Sequence, residues 1–306
     1  MSLAREGSPP IACVVLNWNG AEDTLRCVES LCASKDVRLE VIIVDNGSTD
    51  DSVRRLVERF PNVQLLRQPR NIGVAQGFNI GLTWATVKGF PFVFFLNNDA
   101  TVEQDCISAL LGVCDQDSAS GICSPRIIDG TRSGRMWFDG GRQNAFGDPL
   151  HVGMSHPMRK DTAQRPEAFA TGCAMMVRAS LFSDVGNFDE QFFAYSEDVD
   201  FCFRARKKGW KIIHVPRAVA THYPSSAAKR NRGKWFRDYY VTRNKLLLLR
   251  TELSRLQWIW FLAYFAFRYL ITPTLVFTVT GQFKRVRAVL CGANDFFRKR
   301  FGQRYS

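Results

Sequence analysis

Histidine is scarce, with four in 306 residues. The nine cysteines are scattered through apolar runs (Cys13, Cys106, Cys123, Cys202), and no CxxC pair with metal spacing appears. Zinc-ribbon and zinc-finger organisations are thereby excluded, and reduced, buried thiols of a cytosolic protein are expected. No internal repeat and no low-complexity tract is present, which argues against a solenoid or a disordered chain. The N-terminus lacks a basic stretch followed by a long apolar one, so no secretory signal is expected. Acids nearly vanish from the last third: residues 204–306 hold 23 Lys/Arg against Asp238, Glu252 and Asp295. The first 203 residues carry a net −8 within a whole-chain charge of +12. A basic back half points to a polyanionic surface or ligand: nucleic acid, anionic lipid or pyrophosphate. The basic residues adjoin Trp and Leu stretches and form no recognisable nucleic-acid reader, so nucleic acid is not expected as a partner.

What is there is a folded α/β pattern. Pro10–Leu16, Leu39–Val44, Val63–Arg67 and Phe92–Leu96 read as strands, the first and last as unbroken apolar runs suited to a sheet covered on both faces. Helices are predicted near Thr24–Ala33 (capped by Asp23), Asp51–Arg59 and Val74–Val87. Alternation at this spacing indicates βαβ units and a parallel sheet with right-handed crossovers. Residues 121–170, rich in Gly and Pro, read as an irregular cover with short β-like pieces at Ile122–Ile128 and Met136–Phe138. Ala174–Arg178 is a strand, Ala179–Val185 and Val199–Lys208 are helices, and Lys211–Val215 is a last short strand.

Polar clusters stand immediately after the apolar strands: Asn17-Trp18-Asn19, Asp45-Asn46-Gly47-Ser48 and Asn97-Asn98-Asp99. In an open parallel sheet these ends line one edge, where ligands bind, so the clusters should converge. Asp45 can accept a base N–H or a ribose hydroxyl, with Gly47 admitting close backbone approach; equally, it can cap the next helix. Asp99 suits a sparse divalent-cation site completed by phosphates, or a turn with polar caps. Phe192–Asp200 sets Glu197, Asp198 and Asp200 among rings, where burial and crowding raise carboxyl pKa values and favour a general base. The same acids also suit the first turn of a helix capped by Ser196. His222 follows the last predicted strand and reads as a lone, structural histidine by default.

Six segments, VVLNWNG (14–20), VIIVDNGSTDDS (41–52), RNIGVAQGFNIGL (70–82), FVFFLNNDA (92–100), ATGCAMMVR (170–178) and FDEQFFAYSEDVDFCFRARKKGW (188–210), occur in one order and spacing. Together they resemble the inverting glycosyltransferases of family 2, and most closely the rhamnosyltransferase-like branch. The resemblance implies a GT-A fold: a Rossmann-like, mostly parallel sheet flanked by helices. The resemblance runs from about Ile11 to His222, within an expected catalytic domain over 1–233 (nucleotide part about 10–100, acceptor and base part about 101–233). The change of composition beyond about residue 234 marks a basic, aromatic helical C-terminal region over 234–306. Asp45 resembles the reader of the nucleotide base, with Asn17 and Asn19 beside it. Leu16, Gly47, Ser48, Asn71, Gly77, Asn97 and Asn98 complete the implied donor site. Asp99 resembles the last acid of the family's DxD motif and His222 a completing ligand for Mg²⁺ or Mn²⁺; Asn97 replaces the first acid. Asp198 resembles the catalytic base, with Glu197 as the other candidate. The branch implies a dTDP-sugar donor, dTDP-L-rhamnose above UDP- or GDP-sugars, and a glycan or polyprenyl-linked acceptor. A non-catalytic binding protein on the same fold is the contrasting reading.

The loop 225–233 is expected to close over a diphosphate through Lys229, Arg230 and Arg232, or to be a solvated basic loop. Leu256–Phe267 and Tyr269–Phe283 are apolar pieces separated by Arg268, with Pro273 in the second, each too short to span a bilayer. With Trp258, Trp260, Tyr264 and Tyr269 and flanking Arg/Lys, they suit the cytoplasmic face of the inner membrane. Otherwise they pack on the catalytic domain or on a second copy in a homo-oligomer.

Overall fold

The computed structural model describes residues 8–224 and 226–304, with backbone alone for 226–232. The chain opens with β1 (Pro10–Asn17), α1 (Ala21–Cys32), β2 (Arg38–Asp45), α2 (Ser52–Arg59), β3 (Gln64–Arg67), α3 (Val74–Val87) and β4 (Phe92–Asn97). These four strands are parallel in the order β3-β2-β1-β4. Ile11–Val15 and Phe92–Leu96 are buried on both faces, as their unbroken apolar runs require. The α3 helix lies tight on β1 because Gly77 and Gly81 lack side chains. A Cβ at Gly77 would stand 2.4 Å from Leu16 Cδ1, and one at Gly81 2.3 Å from Val14 Cγ1. Helix α1 starts earlier than expected, with Gly20 as N-cap; Asp23 sits inside the first turn, bonded to Arg26 at 2.6 Å.

The second half contains β5 (Ala100–Val102), α4 (Cys106–Gln116), β6 (Ser120–Asp129), β7 (Met136–Phe138), β8 (Gly141–Gln143), β9 (Pro149–His151), β10 (Arg165–Pro166), β11 (Ala174–Arg178), α5 (Ala179–Val185), α6 (Glu197–Lys207) and β12 (Lys211–His222). The main sheet runs β10-β12-β6-β11-β4-β1-β2-β3, with β11 antiparallel to both neighbours and β12 parallel to β6. Two expectations are corrected. Segment 121–170 is no mere cover, since β6 is a ten-residue interior strand. Its Arg126, which breaks the apolar run, is buried and bonded to Asp139 at 2.8 Å and to the carbonyls of Arg159 and Asp161. Strand β12 continues past Val215 to His222, because a register shift between Val215 and Val219 absorbs Pro216 and Arg217. Cys114 and Cys123 form a disulfide between α4 and β6, against the expectation of reduced thiols throughout; the other seven are free.

The C-terminal region is helical: α7 (Ser226–Glu252), α8 (Arg255–Phe265), a π-helical turn (Ala266–Ile271), α9 (Thr272–Val279) and α10 (Phe283–Phe297). The expected loop 225–233 is helical backbone from Ser226, broken at Gly233 with φ +64°; the side chains of Lys229, Arg230 and Arg232 lie outside the described residues. Residues Arg255–Val279 are one helical run, long and apolar enough to cross a membrane, and not two pieces. Arg268 interrupts hydropathy without disturbing helical backbone. Pro273 is accommodated near the start of α9, directly after the wide π turn, where its missing N–H is tolerated. Leu246, Leu248 and Leu249 of α7 are buried in the main core and so face protein.

Under β6, β12 and β10 lies a buried polar network. His214 bridges Ser124 (3.1 Å) and Asp139 (3.2 Å), and Ser124 donates to Glu167 at 2.5 Å. Burial pushes Asp139 up, but His214 and Arg126 outweigh it and hold the carboxyl at about 2. Burial pushes Glu167 up to about 8, against the bonds from Ser124 and Gly141. Between its ordinary 4.5 and about 8, the folded chain holds a proton on Glu167 that the unfolded chain has lost, so stability declines as pH rises through this window. Glu167→Gln is expected to flatten part of that decline. Thermal midpoints measured from about pH 5 to about pH 8 check it, and an unchanged slope refutes the assignment.

Candidate active site

The polar clusters after β1, β2 and β4 meet at one edge, because parallel pairing sets Asn17 opposite Asp45 and Leu16 opposite Asn97. Fully buried Asn17 is the hub. Its Nδ2 donates to Asp45 Oδ1 (2.8 Å) and Ser48 Oγ (3.0 Å), while its Oδ1 accepts from Thr24 Oγ1 (2.7 Å). Thr24 Oγ1 in turn accepts from Asn98 Nδ2 at 2.9 Å, so the third cluster joins the first two through a continuous hydrogen-bonded line. Asn19 binds the far wall: its N donates to Ser48 Oγ (2.9 Å) and its Oδ1 accepts from Thr49 N (2.7 Å). Asp45 takes a further bond from Ser48 N at 3.2 Å, within its own turn.

The glycines serve chain approach. Gly47, at φ +74°, has the Arg70 backbone where a Cβ would stand, within 2.5 Å; the close approach expected from a ligand is made by protein. Asn71 Oδ1 accepts from Gly73 N (3.0 Å) and Asn46 Nδ2 (3.4 Å), forming the turn that opens α3. Gly77 sits within α3 against Leu16.

Asp99 and His222 come together, with Oδ1 to Nε2 at 3.3 Å and both side chains largely buried. His222 gets there as the last residue of β12, paired with Ala100. Its Nδ1 is buried without a hydrogen-bond partner, and its ring stands 4.5 Å from that of Trp137. No group of three or more metal-ligating side chains exists among the described residues. One carboxylate and one imidazole therefore fit a divalent ion only if ligand oxygens complete its shell, as phosphates can. Asn97 enters through its backbone, whose N–H donates to Cys173 O at 2.9 Å.

That bond leads to the acids of α6. Gly172 N donates to Asp198 Oδ2 (2.7 Å) and Val199 N to Oδ1 (2.8 Å). Asp198 is half-buried, whereas Glu197 is buried with Oε2 unpartnered. Burial first, then the charge of Asp198, pushes Glu197 up to about 8. Burial also raises Asp198, but backbone N–H groups pull the other way. Of this coupled pair, Asp198 is the member better supported as an anion, and Glu197 keeps the proton. Asp200 is turned to Arg204 at 2.7 Å. Sequence reasoning missed Thr24, Trp137 and Gly172. Only Gly172 had a signal, its place in the ATGC segment; the other two join the site through tertiary contacts.

Residues 12–186 match the family model described as Glycosyl transferase family 2. The chain is 30% identical over 238 residues to the N-acetylglucosaminyl-diphospho-decaprenol L-rhamnosyltransferase of Mycobacterium tuberculosis, covering 71% of this chain and 77% of that one. A mannosyltransferase, PcManGT from Pyrobaculum calidifontis, solved with GDP-Man and Mn²⁺, superposes with a TM-score of 0.58 at 14% identity, over 97% of this chain and 89% of that one. GalNAc-T7, solved with UDP, GalNAc and Mn²⁺, gives 0.57 at 16% identity over 72% of this chain, which spans only 44% of GalNAc-T7. These structural likenesses speak for the fold, which is GT-A. The chain is a glycosyltransferase and belongs to glycosyl transferase family 2.

Proposed function

We propose that this glycosyltransferase moves L-rhamnose, with inversion, from dTDP-L-rhamnose to a hydroxyl of a lipid-linked glycan in cell-surface polysaccharide synthesis. The observation that carries the reading is the bonded line Asn98–Thr24–Asn17–Asp45, flanked by the Asp99–His222 pair and by Asp198. A sheet edge rich in acceptors and amides, a sparse cation site and a supported carboxylate are the three parts such a transfer needs. The L-rhamnosyltransferase relative, named for a decaprenol-linked substrate, supports the choice of sugar and acceptor. A UDP- or GDP-sugar is the alternative donor.

In this reading Asp45, oriented by Asn17, holds the nucleotide, with Asn19, Ser48 and Asn71 beside it. Asp198 takes the proton from the acceptor hydroxyl. The acceptor oxygen bonds to the anomeric carbon as the bond from that carbon to the diphosphate oxygen breaks on the opposite face, so configuration inverts. Asp99 and His222 would hold Mg²⁺ or Mn²⁺, which neutralises charge on the departing diphosphate. Protonated Glu197 beside Asp198 keeps a second negative charge out of the pair.

The exposed apolar face of Arg255–Val279, with Leu256, Ile259, Trp260 and Leu275, supports attachment of the enzyme to a membrane. Arg255, Lys284 and Arg287 stand close by in sequence to meet anionic headgroups. This would bring the site to a lipid-linked acceptor at the cytoplasmic face.

Asp198→Asn is expected to lower kcat by about 10²- to 10⁴-fold while donor affinity stays within about threefold. Transfer rates together with donor titration check this, and an intact rate removes Asp198 as the base. In a thermal-shift panel of dTDP-, UDP- and GDP-sugars with and without Mn²⁺, dTDP-L-rhamnose plus metal should raise the midpoint most. Asp99→Asn should erase the metal's share of that rise; a metal effect that survives the substitution would move the cation elsewhere. Trp260→Glu together with Leu275→Glu should abolish co-sedimentation with anionic vesicles while leaving the midpoint within about 2 °C. Unaltered sedimentation would refute membrane docking through this face.

A further inference from the structure

The segment that delivers Glu197 and Asp198 has an unusual backbone. Phe193, Tyr195 and Ser196 all have positive φ (62°, 68° and 75°), a region that side-chain-bearing residues rarely occupy and that persists only where surroundings impose it. Such a chain forms no regular ladder, so its carbonyls must find partners elsewhere. Two adjacent, fully buried side chains of α7 supply most of them. Asn244 Nδ2 donates to the carbonyls of Phe192 (2.9 Å), Ala194 (2.8 Å) and Tyr195 (2.7 Å). Arg243 Nη2 donates to Gln191 O and Phe192 O (both 2.9 Å) and Nη1 to Gly302 O (2.7 Å). Arg243 Nε donates to Asn244 Oδ1 at 2.9 Å, orienting the amide, and the guanidinium lies over the Tyr240 ring at 4.8 Å. The two remaining carbonyls face the helices at either end: Phe193 O accepts from Val74 N at the start of α3 (2.5 Å), and Ser196 O from Asp200 N in α6 (2.9 Å).

We propose that Arg243 and Asn244 are positioning residues for sugar transfer: from the C-terminal region, they impose the left-handed turn 193–196 that presents Asp198 to the acceptor. The inference rests on the reading of Asp198 as base. It gives the C-terminal helices a part in the chemical step, separate from any attachment to lipid. Because Phe193 O also caps α3, whose first turn adjoins Asn71 and Gly73, the same turn ties the base to the donor side.

The test uses the full-length enzyme, with initial rates over both substrates and donor affinity measured by titration. Asn244→Ala is expected to lower kcat by about tenfold or more while the donor Kd stays within about threefold. Adding Ser196→Gly to that variant, which lets the backbone reach positive φ unaided, should recover about half of the lost factor on a logarithmic scale. Arg243→Lys, which keeps the charge and one donor, is the milder companion should Asn244→Ala fail to fold; it should lose less kcat with the same unmoved Kd. An unchanged kcat in Asn244→Ala, or loss of donor affinity in step with kcat and no recovery by glycine, overturns the proposal. Asp198→Asn run alongside separates the two readings. If it is inactive while Asn244→Ala is normal, only the positioning role falls; if it is active, the base assignment falls first.

Discussion

The buried carboxamide of Asn17 is the constraint around which the polar end of the sheet is built. A fully buried amide must have its donors and acceptor satisfied, and leaving one unpaired costs about 1–3 kcal/mol. Asn17 meets that demand only because the turn after β2 returns Asp45 and Ser48 to it and because α1 begins early enough to bring Thr24 to its oxygen. The early start of α1, the tight turn at Gly47 and the approach of Asn98 are therefore one solution to one desolvation problem. The parallel register of β1 with β2 and β4 is what makes that solution reachable.

A different economy governs the acids of α6. Glu197 and Asp198 are neighbours in a poorly solvated place, where two negative charges are unfavourable together. Their surroundings are unequal: two backbone N–H groups face Asp198, and an oxygen of Glu197 faces none. That inequality sorts the proton onto Glu197, so a charge-bearing and a charge-silent carboxyl stand side by side.

Much of this was legible in the sequence because the relevant signals are local. Unbroken apolar runs marked β1 and β4, and the polar residues after them meet at one sheet edge as expected. Val74–Val87, Ala174–Arg178 and Ala179–Val185 have the predicted bounds. The failures share a cause in tertiary compensation. Residues 121–170 read as an irregular cover from their Gly and Pro content, yet β6 is an interior strand in which Asp139, 13 residues on, meets the charge of Arg126. Pro216 looked like a terminus until a register shift absorbed it. Pro273 looked like a helix stop until a π turn made room for it. The site followed the same rule. Asp45, Asp99 and Asp198 announced themselves as acids in context, whereas Thr24 and Trp137 acquire meaning only from what packs beside them.

The reversed strand β11 has a consequence of its own. Its neighbours β4 and β6 end at the edge where the polar clusters meet and present carbonyls and terminal side chains there. Because β11 runs the opposite way, with Ala174 beside Leu96, its approach segment begins at that edge. The backbone amide of Gly172, just before it, is thus available to a carboxylate. One inverted strand gives an otherwise acceptor-rich rim a main-chain donor, fixed by sheet topology and independent of any side chain that mutation could remove.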